Sequence, residues 1–303
     1  MFFGLELNTK LSVVDKGDTT FLKNKEVVID ADLDYQKLTE KLIIEPSSLN
    51  IMNSLFNFEG TIDIPNDFDL DLNLKGKKSD FSLLIALSPD DIIPLLNSFE
   101  NRGDVFFEAA VNGPAANGQT PKIVADFGCE NGFFKNPTTN KTLEKLNFAG
   151  HFQSEQNGGL ESMKVSLTDF TAKPETGVFN IDLSIENFNS PDIDLKLNTL
   201  FELDYLAKFL NVEQLQELQG RVEMEMNFHD VIDLSNPEKS IEKLNESYYT
   251  KLDVNNLSFI IPGYDEKFEN INLKMHMDGH RAIMDQFTIK VGHSDLYMDG
   301  TIS

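Results

Sequence analysis

The stretch "VFNIDLSIENFNSPDIDLKLN" (residues 178–198) holds two alternating runs joined by a short polar turn. Ile181, Leu183 and Ile185 alternate with Asp182, Ser184 and Glu186. After Asn189-Ser190-Pro191 the pattern resumes, with Ile193, Leu195 and Leu197 set against Asp194 and Lys196. Successive side chains of a strand point to opposite faces, so this reads as a hairpin with one apolar face and one wet face. The question it poses is what covers the apolar face: a second sheet, a helix, or something that is not protein.

The pattern recurs along the chain. "FTAKPETGVFNIDLS" (170–184) aligns without gaps with "FTIKVGHSDLYMDGT" (287–301), 117 residues further on. The same offset relates Gly103-Asp104-Val105-Phe106-Phe107-Glu108 to Gly220-Arg221-Val222-Glu223-Met224-Glu225. At an offset of 125, residues 134–148 match 259–273, and "LFNFEGTIDIPNDFDLDLNL" (55–74) is an earlier copy of the hairpin. The expectation is one continuous array of units of about 120 residues. Its parts are a first unit at 1–125, a second at 126–252 and a third, truncated, at 253–303. The last hairpin stops after its first arm, as in an internal piece of a longer array.

Within a unit the expected order is strand, proline turn, strand, a Phe-Thr-x-Lys strand, the amphipathic hairpin and a short helix. Helices are expected at 81–99, interrupted by Pro89 and Pro94, and at 200–218, where Gly220 reads as a stop signal. Another short helix is expected at 237–246. The predicted class is mainly β: an elongated, curved antiparallel sheet forming a groove, with few short helices.

Composition narrows the function classes. The 303 residues include 24 Phe, no Trp and 50 acidic against 26 basic side chains, a formal charge of −24. A surface this acidic repels polyphosphate, which argues against nucleic-acid binding. No stretch approaches the roughly 20 apolar residues of a membrane span, and no signal peptide is read at the start. The single cysteine, Cys129, reads as a small buried apolar side chain.

No catalytic, metal or cofactor pattern emerges. His276 and His280 share a strand face but stand about 13 Å apart at ~3.3 Å per residue, too far for one ion unless the chain folds back at Gly279. Residues 63–71 superficially suggest a calcium loop but lack its turn glycine and terminal acid. The acids Asp67, Asp69, Asp71, Asp182, Glu186, Glu223 and Glu225 read as the wet faces of strands. A carbohydrate-active enzyme, the weakest reading, would need two carboxylates converging in a cleft with opposed pKa shifts.

The apolar stripes are the remaining chemistry. They are Leu70, Leu72 and Leu74; Ile181, Leu183 and Ile185; Ile193, Leu195 and Leu197; Val222, Met224, Met226 and Phe228; and Leu273, Met275 and Met277. One reading makes them the inner faces of a structural or interaction β-sandwich array with no ligand. The other makes them the lining of a groove that holds acyl chains. Repetition in one dimension, free use of adaptable methionine and the scarcity of helices favour the second.

The phenylalanine-rich amphipathic strands, together with "TFLKN" (20–24), "NGFFKNP" (131–137) and "PDIDLKLNTLFELDYLAKFL" (191–210), resemble the AsmA family of diderm bacterial envelope proteins. The resemblance implies an inner-membrane helix, not contained in this chain, followed by a periplasmic β-groove related to bridge-like lipid transfer proteins. It implies phospholipid or another acyl lipid as partner, and a role in phospholipid transport and outer-membrane biogenesis or integrity. It carries over no catalytic residue, and protein partners stay undefined.

Overall fold

The computed structural model describes residues 1–14, 20–88, 90, 93–212, 215–231, 249–264, 266–278 and 281–302. The strands run β1 (Phe2–Val14), β2 (Thr20–Gln36), β3 (Lys41–Ile51), β4 (Ser54–Asp63) and β5 (Asp69–Lys78). Two one-turn helices, α1 (Ser82–Ala86) and α2 (Ile93–Asn97), precede β6 (Glu100–Pro114), β7 (Lys122–Lys135) and β8 (Thr142–Ser154). A single 3-10 turn at Leu160–Ser162 leads to β9 (Lys164–Lys173), then β10 (Gly177–Glu186) and β11 (Asp192–Glu202). Helix α3 (Leu203–Phe209) is followed by β12 (Gln216–Val231), β13 (Tyr249–Ile260), β14 (Lys267–Asp278), β15 (Arg281–Val291) and β16 (Ser294–Ile302).

The protein is therefore mainly β, and all sixteen strands join in sequence order into one open antiparallel sheet. No second sheet occurs among the described residues. The hairpin read at 178–198 is β10 and β11, and its earlier copy is β4 and β5, paired from Phe58↔Leu74 to Ile62↔Leu70.

The chain divides into two compact units. One comprises Met1–Gly132, Ala149–Val165 and Glu186–Asn189; the other comprises Phe133–Phe148, Ser166–Ile185 and Ser190–Ser303. The succession of elements also repeats. β4, β5, helix and β6 to β9 are followed by β10, β11, helix and β12 to β15. Backbone irregularities recur with it. Asn131 and Asn256 take φ of 53° and 53°, and Lys145 and Asn270 take 51° and 53°, each pair 125 residues apart. At Asn256 and Asn270 the ladder register shifts, so these left-handed residues mark bulges, which bend a strand locally.

In the first unit the β3–β4 loop is the two residues Met52 and Asn53, with φ of 48° and 67°. Two positive φ values in a two-residue loop match the twist of the flanking strands and pin the register Ile51↔Ser54.

The helical regions are shorter than their sequence pattern predicts. Among the described residues, the stretch 81–99 yields only α1 and α2. The stretch 200–218 yields, among the described residues, only α3, because Leu200 and Phe201 continue β11 opposite Glu223 and Val222. Gly220 is no helix stop: it sits inside β12 at φ 134°, where the register to β13 shifts. The helix expected at 237–246 lies outside the described residues.

Candidate functional site

In the first unit one face of β2 to β6 is apolar. Cross-strand partners share a face, and the ladder sets Ile62, Leu70 and Gly113 in one row and Gly60, Leu72 and Val111 in the next. Phe58, Leu74 and Ala109 form a third. Ala31, Leu33 and Ile44 are buried here, with Ile29, Leu42, Phe58, Ile62 and Leu72 packed against them.

Helix α1 covers one part of this face. Leu83, Phe56 and Val105 are fully buried, and Gly76 leaves room for both neighbours, since a Cβ there would lie 2.9 Å from Phe56 and 3.0 Å from Leu83. Ser54 Oγ donates to the Ser82 carbonyl at 2.9 Å, tying β4 to the helix. Beyond the helix Leu70, Leu72 and Leu74 remain half-buried.

The second unit repeats the arrangement on a broader scale. Three rows cross β11 to β16 on one face. The first is Phe201, Val222, Val254, Leu273, Phe287 and Met298. The second is Thr199, Met224, Leu252, Met275, Met284 and Gly300. The third is Leu197, Met226, Thr250, Met277 and Ala282. Leu195 pairs with Phe228 and Ile193 with Asp230 one and two rows further on.

Stacking of Phe179 on Phe201, centroids 5.6 Å apart, brings β10 to the same side, and with it Ile181, Leu183 and Ile185. Of the sixteen stripe residues named from sequence, Val222 is buried and the other fifteen are half-buried. Alternation missed the contributions of Leu252, Val254, Met284 and Met298. The first two stand in plain alternation in "TKLDV" (250–254), which was the available signal.

Helix α3 is held by polar contacts with the β7–β8 turn and the start of β8. The Tyr205 hydroxyl donates to the Thr142 carbonyl at 2.6 Å, and Asn136 Nδ2 donates to the Phe209 carbonyl at 2.9 Å. Burial, helped by Glu175 and Glu144, pushes the Tyr205 phenol well above its ordinary range, so it stays a neutral donor.

The opposite face is polar. In the second unit a depression of ≈ 310 Å³ is lined there by Asp169, Asp182, Lys196, Asn198 and Glu225 among others. The Asp169 N–H donates to Asp182 Oδ1 at 2.9 Å. Histidines on the strands pair with acids: His151 with Asp126 at 2.7 Å and His276 with Asp285 at 2.9 Å. His280 lies outside the described residues.

The acids of 63–71 serve as acceptors. Asp63 meets Lys41 at 2.9 Å, and Asp67 accepts from Asn117 at 2.8 Å and Gln119 at 3.2 Å. Among the described residues no group of three or more His, Cys, Asp or Glu is placed to hold a metal ion. Nor is any helix among them long and apolar enough to cross a membrane.

No family model matches the chain, and neither does any curated protein or solved structure.

Proposed function

We propose that the chain is a non-catalytic segment of an AsmA-like envelope protein whose apolar sheet faces shield lipid acyl chains. In this reading it works in the periplasm as part of an inner-membrane-anchored protein and contributes to phospholipid transport and outer-membrane integrity. The observation that carries it is the state of the stripes. Fifteen of sixteen are neither sealed in a core nor fully exposed, the state expected of a wall that gains from an apolar occupant.

Each methylene moved from water onto such a wall contributes roughly 0.8 kcal/mol. Equivalent rows on successive strands let a chain shift without losing contact, and six of the nine methionines stand on the face of the second unit, where soft side chains adapt to an unfixed partner.

A photocrosslinker at Leu183 or Met224 tests the reading in cells. Lipid adducts are expected at both positions and not at Asp182 or Glu225, which alternate onto the polar face. Equal labelling on both faces, or purified protein that carries no lipid by mass spectrometry and extracts none from vesicles, defeats it.

A further inference from the structure

We propose that Thr199 and Thr250 are hydrogen-bond donors to the ester carbonyls of glycerolipids lying on the apolar face of the second unit, an inference that rests on the acyl-lipid reading above. Both residues belong to the apolar rows: Thr199 pairs with Met224, and Thr250 with Met226. Thr199 is 2 % and Thr250 4 % exposed, and neither Oγ1 has a hydrogen-bond partner. A buried hydroxyl without a partner is unfavourable, and valine would fill the same space without that penalty. Two such hydroxyls in rows otherwise built of Leu, Met, Val, Phe, Ala and Gly are matched by an occupant that brings its own acceptor.

The neighbours make that contact accessible. Each hydroxyl stands beside a methionine across the strand, Met224 for Thr199, and Met226 and Met277 on either side of Thr250. Three rotatable bonds let a methionine swing aside where a branched side chain would keep the position closed.

The acceptor must also tolerate an apolar setting. A phosphate or a free carboxylate is charged and too expensive to strip of water there. An ester carbonyl is neutral and sits at the root of an acyl chain. The two threonines lie two strands and two residues apart, about 12 Å at ~4.8 Å per strand and ~3.4 Å per residue. That is wider than the two esters of one glycerol, so each hydroxyl serves its own lipid position.

The test compares uptake of diester and diether phosphatidylcholine of equal chain length from vesicles by the full chain, the single variants Thr199→Val and Thr250→Val, and the double variant. The native chain is expected to favour the diester by about fivefold per hydroxyl, the worth of one neutral hydrogen bond. The double variant is expected to take up both lipids equally while its thermal midpoint rises. Equal uptake by the native chain, a preference that survives in the double variant, or a fall in its midpoint overturns the inference and leaves the acyl reading standing. Uptake of neither lipid by the native chain overturns that reading, and this inference with it.

Discussion

Lys25 Nζ lies 2.6 Å from Oδ1 of Asp90 and 3.0 Å from the Ser88 carbonyl, although Lys25 is only 1 % exposed. The pair ties Ser88 and Asp90, which follow α1, to β2. Lys25 follows the left-handed Asn24, just as Leu146 follows Lys145 and Ile271 follows Asn270, and all three are buried. A charge thus occupies a position that is aliphatic in the two later strands.

Asp90→Ala is therefore expected to lower stability by about 2 kcal/mol, because it leaves an ammonium buried with only a carbonyl to meet. The loss stays below that of a fully buried pair, since Asp90 is accessible to water. Lys25→Leu removes the charge itself and is expected to change stability by less than about 1 kcal/mol. Urea unfolding of both variants checks this, and equal losses would sink the pairing account.

Gly60, inside β4, and Gly177, at the start of β10, take φ of 152° and 115°. A Cβ at Gly60 would run into the Asp71 carbonyl and one at Gly177 into the Leu200 carbonyl, both backbone atoms of the neighbouring strand. Alanine at either position is expected to destabilise by more than about 2 kcal/mol. At Gly300, where a Cβ meets nothing within 4 Å, alanine is expected to be neutral. Chemical denaturation of the three variants ranks them.

Asp80 fastens the start of α1: the Ser82 N–H donates to its Oδ1 at 2.9 Å. Hydrogen bonding to Ser82 holds the carboxyl below its ordinary value of 3.8, against the opposing effect of burial. A folded-state pKa below the unfolded one gives stability that is present above about pH 4 and lost as pH falls through the folded value. The stability gap between native protein and Asp80→Asn is thus expected to narrow from pH 5 toward about pH 3. A gap that stays constant over that range would remove Asp80 from the account.

Cys129 is 1 % exposed, and burial, with Asp104 and Glu130 adding to it, pushes its thiol up to about 11. The thiolate is the reactive form. Maleimide at pH 8 is expected to leave the native protein unlabelled and to modify it fully in urea. The raised value also means stability that falls as pH rises from the ordinary 9.0 toward about 11. Prompt labelling of folded protein would show that this part of the first unit opens readily.

The strand character and the two-faced nature of the sheet were legible locally. Leu70, Leu72 and Leu74 lie on one side of β5 because strand geometry allows nothing else once the segment is extended. The hairpins and the Phe-Thr-x-Lys strands fell where the pattern put them. The helical spacing of Leu203, Leu206 and Phe209 is met by α3, but the stretch 200–218 overran it at both ends, because the ladder to β12 keeps residues up to Glu202 extended and Gln216 already opens β12. Helix propensity over one or two turns is too weak to resist a strand partner.

The sequence by itself determined which side chains share a face, since alternation is a property of the extended chain. Only the tertiary structure decided how deeply each is covered. Phe56 and Val105 are sealed because α1, from a distant part of the chain, lies over them, while Leu72 on the same face stays half-buried. Likewise nothing in "LNTLF" (197–201) distinguishes Thr199 from a solvated threonine. Its burial without a partner follows from its place in the ladder beside Met224, and a neighbour on another strand cannot be read from a period of two.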